Sequence, residues 1–375
     1  MKHKSQKRII VSVTNDLVVD NRVHKVCTTL KNMEFEVLLV GRILPKSLPV
    51  NPREYKTKRL HLLFAKGPLF YAEFNFRLLL FLLFSPTDVL LANDLDALAA
   101  NFLAAKFKNI PLVYDSHEYF TEVPELIGRP RAKRIWEWLE RKMVPKLKYA
   151  YTVCESIAKI YEEKYGTPFR VVRNLPNSRI YQINKAPNKI DDDDIKTILY
   201  QGALNIGRGL EQAIRAMKYL DNVQLNIIGD GDIKSDLEKL VAKLNLNNKV
   251  KFAGRLPLEE LSKLTPQADL GLSIEEDLGL NYRYALPNKL FDYIQAKVPV
   301  LVTNFPEMAA VVNQYQIGAI TNSLEPKELA ETIERALTDE KIRNKWKKNL
   351  EMASSELVWE NEEKILKELF LNLIN

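Results

Sequence analysis

Short, strongly apolar runs alternate along this chain with longer stretches of mixed polarity. In the first half the runs are IIVSV (9–13), EVLLV (36–40), DVLLA (88–92), PLVY (111–114), AYTV (150–153) and FRVV (169–172). In the second half they are TILYQ (197–201), VQLNIIG (223–229), KVKFAG (249–254), ADLGLSI (268–274), VPVLV (298–302) and GAIT (318–321). Each run is nearly continuous in hydrophobicity, as expected of parallel strands covered on both faces. Amphipathic periods such as 20–32, 95–107, 208–218 and 232–245 lie between them and read as helices. The alternation predicts an α/β protein with two doubly wound, Rossmann-like domains.

The stretch 176–196 breaks the pattern with two prolines, four consecutive aspartates (Asp191–Asp194) and no apolar period, so it reads as a solvated linker. The expected division is an N-terminal domain over 1–176, a linker over 177–196 and a C-terminal domain over 197–355. A last amphipathic helix, 356–375, gathers Leu357, Ile365, Leu366, Leu369 and Phe370 on one side. A length of 375 residues suits two domains, and a hydrophobic fraction of 46% is enough to fill their cores.

Charge adds little. Lysine and arginine number 55 against 48 acidic residues, a net of +7. That bias is compatible with anionic small molecules or an anionic membrane surface and is too weak for a nucleic-acid binder. The two cysteines, Cys27 and Cys154, lie in apolar runs, which reads as buried thiols in a reducing compartment. The first residues lack the apolar core and cleavage site of a signal peptide. The most apolar stretch, RLLLFLLF (77–84), is too short to span a bilayer. A soluble, cytoplasmic protein is expected.

In doubly wound folds ligands bind beyond the carboxyl ends of the strands. At those ends the first half places Asn15, Asp16, Asn93, Asp94, Asp115, His117 and Glu155. The second half opens with YQGALNIGRGLEQAIRAM, where Gly202, Gly207 and Gly209 allow close backbone approach. A helix expected near Arg208 supplies N–H groups, and Arg208 a cation with paired donors. Together these suit a diphosphate, and taken alone they equally suit a glycine-rich strand–helix turn with Arg208 solvated. In IIGDGD (227–232) Asp230 and Asp232 are better read as helix caps than as a metal motif. The segment 273–302 carries Glu275, Glu276, Gly279 and Arg283, then a helix from near Pro287 with Asn288, Lys289 and Asp292. Its helix start and Lys289 could hold phosphate, and Glu276 and Asp292 could accept sugar hydroxyls. Taken alone, though, it reads as capping plus an ion pair of Asp292 with Lys289 or Arg283.

No His, Cys and carboxylate spacing suits a metal, and neither cysteine has an evident histidine partner for nucleophilic chemistry. The basic stretch RPRAKRIWEWLERKMVPKLK (129–148) interleaves Trp136 and Trp138, with Ile135, Leu139 and Met143 at helical spacing. A packed helix with a solvated basic face is favoured there over membrane contact. The apolar stretch 74–84 adds some weight to contact near a lipid-linked substrate.

These blocks, taken in order, resemble the retaining glycosyltransferases of family 4, of GT-B architecture. The resemblance is carried by YQGALNIGRGLEQAIRAM, by VQLNIIGDGDIKSDLEKLVAKLNLNNKVKFAGRLPLEELSKLTPQADLGLS and by EEDLGL…LPNKLFDYIQAKVPVLVTN in the second half. TNDLVVDNRVHKVCTTLKNMEFEVLLVGR, DVLLANDLDALAANFLAAKF and PLVYDSHEY resemble the family's acceptor-side domain, and LVWENEEKILKELF its last helix. The resemblance implies two Rossmann-like domains facing across a cleft, with the last helix returning to the first. It implies transfer of a sugar from a nucleoside diphosphate sugar to a hydroxyl of a glycan or lipid-linked acceptor, with retained anomeric configuration and no cofactor or metal.

By the same resemblance Glu276 contacts the donor sugar, Arg208 the diphosphate, and His117 the active site near the sugar. Asp292 takes the ribose, with Lys289 and Asn288 near the phosphates. Gly202, Arg255 and Gly279 complete the expected donor set, and Asn15, Asp16, Asp94 and His117 the acceptor side. The chain departs from the pattern in three places. Fifteen residues instead of seven separate Glu276 from Asp292, Lys297 replaces a glycine, and Ala203 stands where many members have arginine. A GT-B nucleotide-sugar epimerase or a non-catalytic donor-binding scaffold therefore stay open. Product analysis without acceptor identifies the first, and donor binding without turnover the second.

Overall fold

The computed structural model describes residues 6–18, 20–178 and 195–374. The chain folds into two compact units, Met1–Arg173 with Glu362–Asn375, and Asn174–Asn361. Most of the expected linker, including Asp191–Asp194, lies outside the described residues.

The first unit is built on seven strands: β1 (Arg8–Asp16), β2 (Glu36–Arg42), β3 (Lys56–Leu60), β4 (Val89–Asn93), β5 (Leu112–Ser116), β6 (Tyr149–Thr152) and β7 (Arg170–Val171). They pair in the order β3-β2-β1-β4-β5-β6-β7, every pairing parallel. β3 has no counterpart among the predicted runs. Its sequence, KTKRL, is polar because it is an edge strand that pairs with β2 alone. The helix Asn21–Asn32 is capped by the Asp20 carboxylate, which accepts the Val23 N–H at 3.0 Å. The helix Pro68–Phe84 places Phe70, Phe74, Leu78 and Leu82 at four-residue spacing. They are buried with Ile10, Val40 and Leu90 of the sheet and with Ala97, Ala100 and Ala104 of the helix Leu95–Lys108. Each large side chain buried this way contributes about 2 kcal/mol, and the alanines let the two helices approach closely.

The last helix, Trp359–Ile374, divides between the units. Leu357, just before it, is buried in the second unit's core, so the turn back begins later than the expected 356. From Glu362 onward the helix belongs to the first unit: Leu366, Leu369 and Phe370 are buried, and the Phe370 ring meets Phe35 edge-on at 6.1 Å. The buried Glu362 carboxylate takes the Arg173 guanidinium at 2.6 and 2.9 Å and its backbone N–H at 2.7 Å.

The second unit repeats the plan with six parallel strands: β8 (Lys196–Gln201), β9 (Val223–Ile228), β10 (Val250–Gly254), β11 (Leu270–Ser273), β12 (Val300–Thr303) and β13 (Gly318–Thr321). Their order is β10-β9-β8-β11-β12-β13. Tyr293, from the helix Asn288–Gln295, is wholly buried under the two central strands. Its hydroxyl accepts the Gln201 N–H at 3.0 Å and lies 3.1 and 3.2 Å from the carbonyls of Leu199 and Leu272. A Cβ at Gly271 would stand 2.5 Å from that ring, so glycine there lets the helix press onto β11. The same helix carries Lys289 and Asp292, and this packing fixes where they stand.

Candidate functional site

The turns at the carboxyl ends of β8 and β11 gather most of the residues expected on the donor side. After β11, Glu275 is buried completely, with Ser273 Oγ 3.2 Å from its Oε2 and Thr303 Oγ1 donating to its carbonyl at 2.9 Å. Two cations converge on its other oxygen. Lys289 Nζ lies 2.8 Å from Oε1, and Arg208 Nη1 lies 3.4 Å from the same atom. Lys289 also stands 4.2 Å over the Tyr200 ring, and the Arg208 guanidinium 5.7 Å from the Tyr282 ring. One carboxylate thus positions two positive charges, leaving a net cationic notch at the carboxyl edge of the sheet. Arg208, about a third exposed, is the member a ligand can reach.

The ion pairs expected for Asp292 do not form. Lys289 turns to Glu275, Arg283 pairs with Asp277 at 3.0 Å, and Asp292 accepts from Gln201 Nε2 at 3.1 Å. Glu275 is the residue that sequence reasoning missed as a site member. Its signal was present, a carboxylate at a strand end, but the family motif drew the role to its neighbour. Glu276 is half-buried beside the glycine turn. Its N–H donates to the Gly207 carbonyl at 2.9 Å, and its carboxylate accepts from Gln212 Nε2 at 3.1 Å.

The glycines differ in what they admit. A Cβ on Gly207 would meet the Tyr282 ring at 2.7 Å, and one on Gly209 the Ile274 carbonyl at 2.0 Å; both have positive φ. These two are therefore required by packing within the unit. Gly202 and Gly279 have open space where a side chain would project, Gly202 meeting nothing nearer than the Tyr200 hydroxyl at 3.7 Å. The helix expected from Arg208 begins later, at Leu210, with Gly209 as its cap, and is only seven residues long. Arg255 is exposed just after β10, and Asn288 is exposed, accepting from Asn174 at 3.0 Å. Asp230 and Asp232 do not cap the helix Lys234–Lys243, whose cap is Ile233; Asp230 instead accepts the neighbouring Gly231 N–H at 3.0 Å. Lys297 takes the left-handed conformation (φ 59°), which a glycine adopts freely.

In the first unit the carboxyl edge holds a charge cluster. Asp115, fully buried, grips Arg22 through two hydrogen bonds of 3.1 and 2.8 Å and meets His117 Nε2 at 3.0 Å. His117 Nδ1 lies 3.2 Å from Asp94, which also accepts the His117 backbone N–H at 2.8 Å. Burial opposes charge on the imidazole, but Asp94 and Asp115 outweigh it and hold His117 at about 9. Burial pushes Asp94 up to about 8 despite His117. Asp115, although buried, is held down at about 2 by Arg22 and His117. Of the expected acceptor-side residues, Asp94 and His117 come together. Asn15 turns to Asp20 at 3.1 Å, and Asp16 to Ser47 and Arg59. Among the described residues no group of three His, Cys, Asp or Glu side chains is placed to hold a metal ion.

Two family models divide the chain between them: Glycosyltransferase Family 4 matches residues 19–178, and Glycosyl transferases group 1 matches 182–352. The chain belongs to the family 4 glycosyltransferases. It is 27% identical over 337 residues to an uncharacterized glycosyltransferase of Methanocaldococcus jannaschii, covering 82% of this chain and 81% of that one. It is 22% identical to the alpha-D-kanosaminyltransferase of Streptomyces kanamyceticus over 66% of this chain and 67% of the relative. Among solved structures, sucrose-phosphate synthase of Thermosynechococcus elongatus superposes with a TM-score of 0.79 at 17% identity, over 98% and 99% of the two chains. Anabaena HepE in complex with UDP-glucose does so with 0.72 at 15%, over 97% and 99%. The glycosyltransferase therefore has the GT-B fold.

Proposed function

We propose that this glycosyltransferase moves a sugar, with retention of configuration and without a metal ion, from a nucleoside diphosphate sugar to a hydroxyl. The acceptor is a glycan or lipid-linked sugar in surface polysaccharide or glycolipid synthesis. The observation that carries the reading is the convergence of Arg208 and Lys289 on Glu275 Oε1. When the bond between the anomeric carbon and the diphosphate breaks, its electron pair leaves with the diphosphate. A fixed pair of cations meets that developing charge without reorganising, the largest single contribution to many transfer reactions. Glu275 holds both cations in position, so they are in place before the donor arrives. Open space at Gly202 and Gly279 suits close approach of a nucleotide to the backbone. In this reading Glu276 meets the sugar, Asp292 the ribose, and Asp94 with His117 the acceptor side. The Anabaena relative with UDP-glucose supports a nucleotide-sugar donor. The buried thiols of Cys27 and Cys154 support a reducing, cytoplasmic setting.

The test is equilibrium binding of UDP, GDP and their sugars, followed by turnover with the donor that binds. Arg208→Ala is expected to lower kcat about 10²-fold, the scale of removing one preorganised charge-stabilising donor. If no nucleotide sugar binds, or Arg208→Ala turns over like the parent enzyme, the reading fails.

A further inference from the structure

The helix Pro68–Phe84 is apolar apart from Glu73, Asn75 and Arg77, and so apolar a helix in a soluble protein is normally covered on both faces. One face packs on the sheet through Phe70, Phe74, Leu78 and Leu82. On the other, Leu69, Phe76, Leu80 and Phe84 are exposed, Phe84 by 86%. Its polar side chains are engaged locally. Glu73 accepts the Leu63 and Phe64 N–H groups and pairs with Arg77, and Asn75 bonds the backbone of Asp96 and Ala100.

Two more helices continue this surface. The connections β3 to β4, β4 to β5 and β5 to β6 all step the same way across the sheet. Right-handed crossovers therefore set their three helices on one face. The helix Leu95–Lys108 packs beside Pro68–Phe84 and exposes Leu103 and Phe107. The helix Pro130–Met143 joins them through Trp136, whose ring meets Tyr71 and Phe120 edge-on at 5.0 Å each. It too exposes apolar groups. Ile135, expected to face inward with Leu139 and Met143, is 60% exposed, and Trp138 is 52% exposed.

The charge around these groups is one-sided. Residues 129–148 hold eight basic and two acidic side chains, so they account for nearly all of the chain's net +7. Glu140, one of the two, is buried beneath Lys164 and Tyr165. Arg131, Arg134, Arg141 and Lys142 are exposed and have no acidic partner among the described residues. Large exposed apolar side chains beside an excess of basic charge match the interface of an anionic bilayer, where the apolar groups enter the headgroup boundary and the cations meet lipid phosphates. Among the described residues no helix is long and apolar enough to cross a membrane.

We propose that this face of the first unit docks on an anionic lipid surface. The proposal goes beyond the transfer reaction and does not rest on it, since every residue it uses lies outside the donor site.

The test is sedimentation of the full chain with vesicles of phosphatidylcholine alone or mixed equally with phosphatidylglycerol, at low and high salt. Binding is expected only with phosphatidylglycerol and should weaken as salt rises. Arg131→Glu with Arg134→Glu should lower the partition about tenfold or more. Phe76→Ser with Phe84→Ser should lower it at low salt, with circular dichroism and nucleotide binding unchanged in both variants. A chain left in the supernatant with phosphatidylglycerol at low salt overturns the proposal. So does equal binding to both vesicles. A dimer in sedimentation velocity that the phenylalanine variant dissociates also overturns it, because a second copy then covers the face. Nucleotide binding is read separately, so its failure refutes the donor reading and leaves this result standing.

Discussion

His117 shows how much one side chain's surroundings decide. Both of its ring nitrogens face carboxylates, Nδ1 toward Asp94 and Nε2 toward Asp115, so the cluster binds the charged imidazolium. Its ordinary value of 6.5 rises to about 9 in the fold. A raised value means the stabilisation is complete below pH 6.5 and is lost as pH rises through 9. The shift corresponds to about 3 kcal/mol. Asp94, raised by burial to about 8, acts with the same sign and on the same shared charge, so the two effects are not summed. Asp115, held at about 2, is stabilising above its ordinary 3.8 and loses that below pH 2, outside this window. Urea unfolding of the first unit should thus show falling stability between pH 6.5 and 9, and His117→Gln should flatten the slope. An unchanged slope in that variant would assign it to other groups. Much of this was legible in the sequence, which placed Asp94, Asp115 and His117 at strand ends. What it hid was Arg22, a helix residue brought onto Asp115 by a contact 93 positions away. Glu275 was hidden differently: it is adjacent to Glu276, and only the third dimension shows which of the two the cations choose.

At the scale of elements, hydrophobic runs marked every strand except β3, and β3 escaped because an edge strand need not be apolar. Helix starts were less legible. Arg208 precedes its helix by two residues, since Gly209 must occupy a left-handed cap where the Ile274 carbonyl leaves no room for a Cβ. The last helix carries the strongest prediction at this scale. Its apolar side fills the first unit's core with Leu366, Leu369 and Phe370, while Glu362 neutralises Arg173 from a buried position. Glu362→Ala removes a charge-assisted network and is expected to cost about 2 kcal/mol. A chain ending at Asn361 should lose far more, through three large buried side chains. Urea titration monitored by fluorescence should show the first unit unfolding early in the point variant and unfolded from the outset in the truncated chain. A truncated chain with parental stability would mean that the helix merely rests on the surface.

For the whole molecule, the two units are separately closed doubly wound sheets, and the proposed donor contacts lie in one of them. This separation makes ligand linkage informative. A ligand that binds only the folded second unit stabilises that unit by about 2.7 kcal/mol at a hundred times its Kd. The first unit gains nothing directly. Calorimetry with saturating nucleoside diphosphate should therefore raise the transition of residues 174–361, identified by hydrogen exchange in β8 and β11. The protection of β1 and β4 should stay as it was. Arg208→Ala should abolish most of the shift while leaving the unliganded transition in place, because Lys289 still satisfies Glu275 at 2.8 Å. Lys289→Ala should behave differently. It leaves the buried Glu275 with the longer Arg208 contact as its remaining cation among the described residues, so the unliganded unit itself should melt lower. The contrast separates a residue that serves the ligand from one that also serves the fold. Equal loss of unliganded stability in both variants would show that Arg208 is structural and that the diphosphate is held elsewhere.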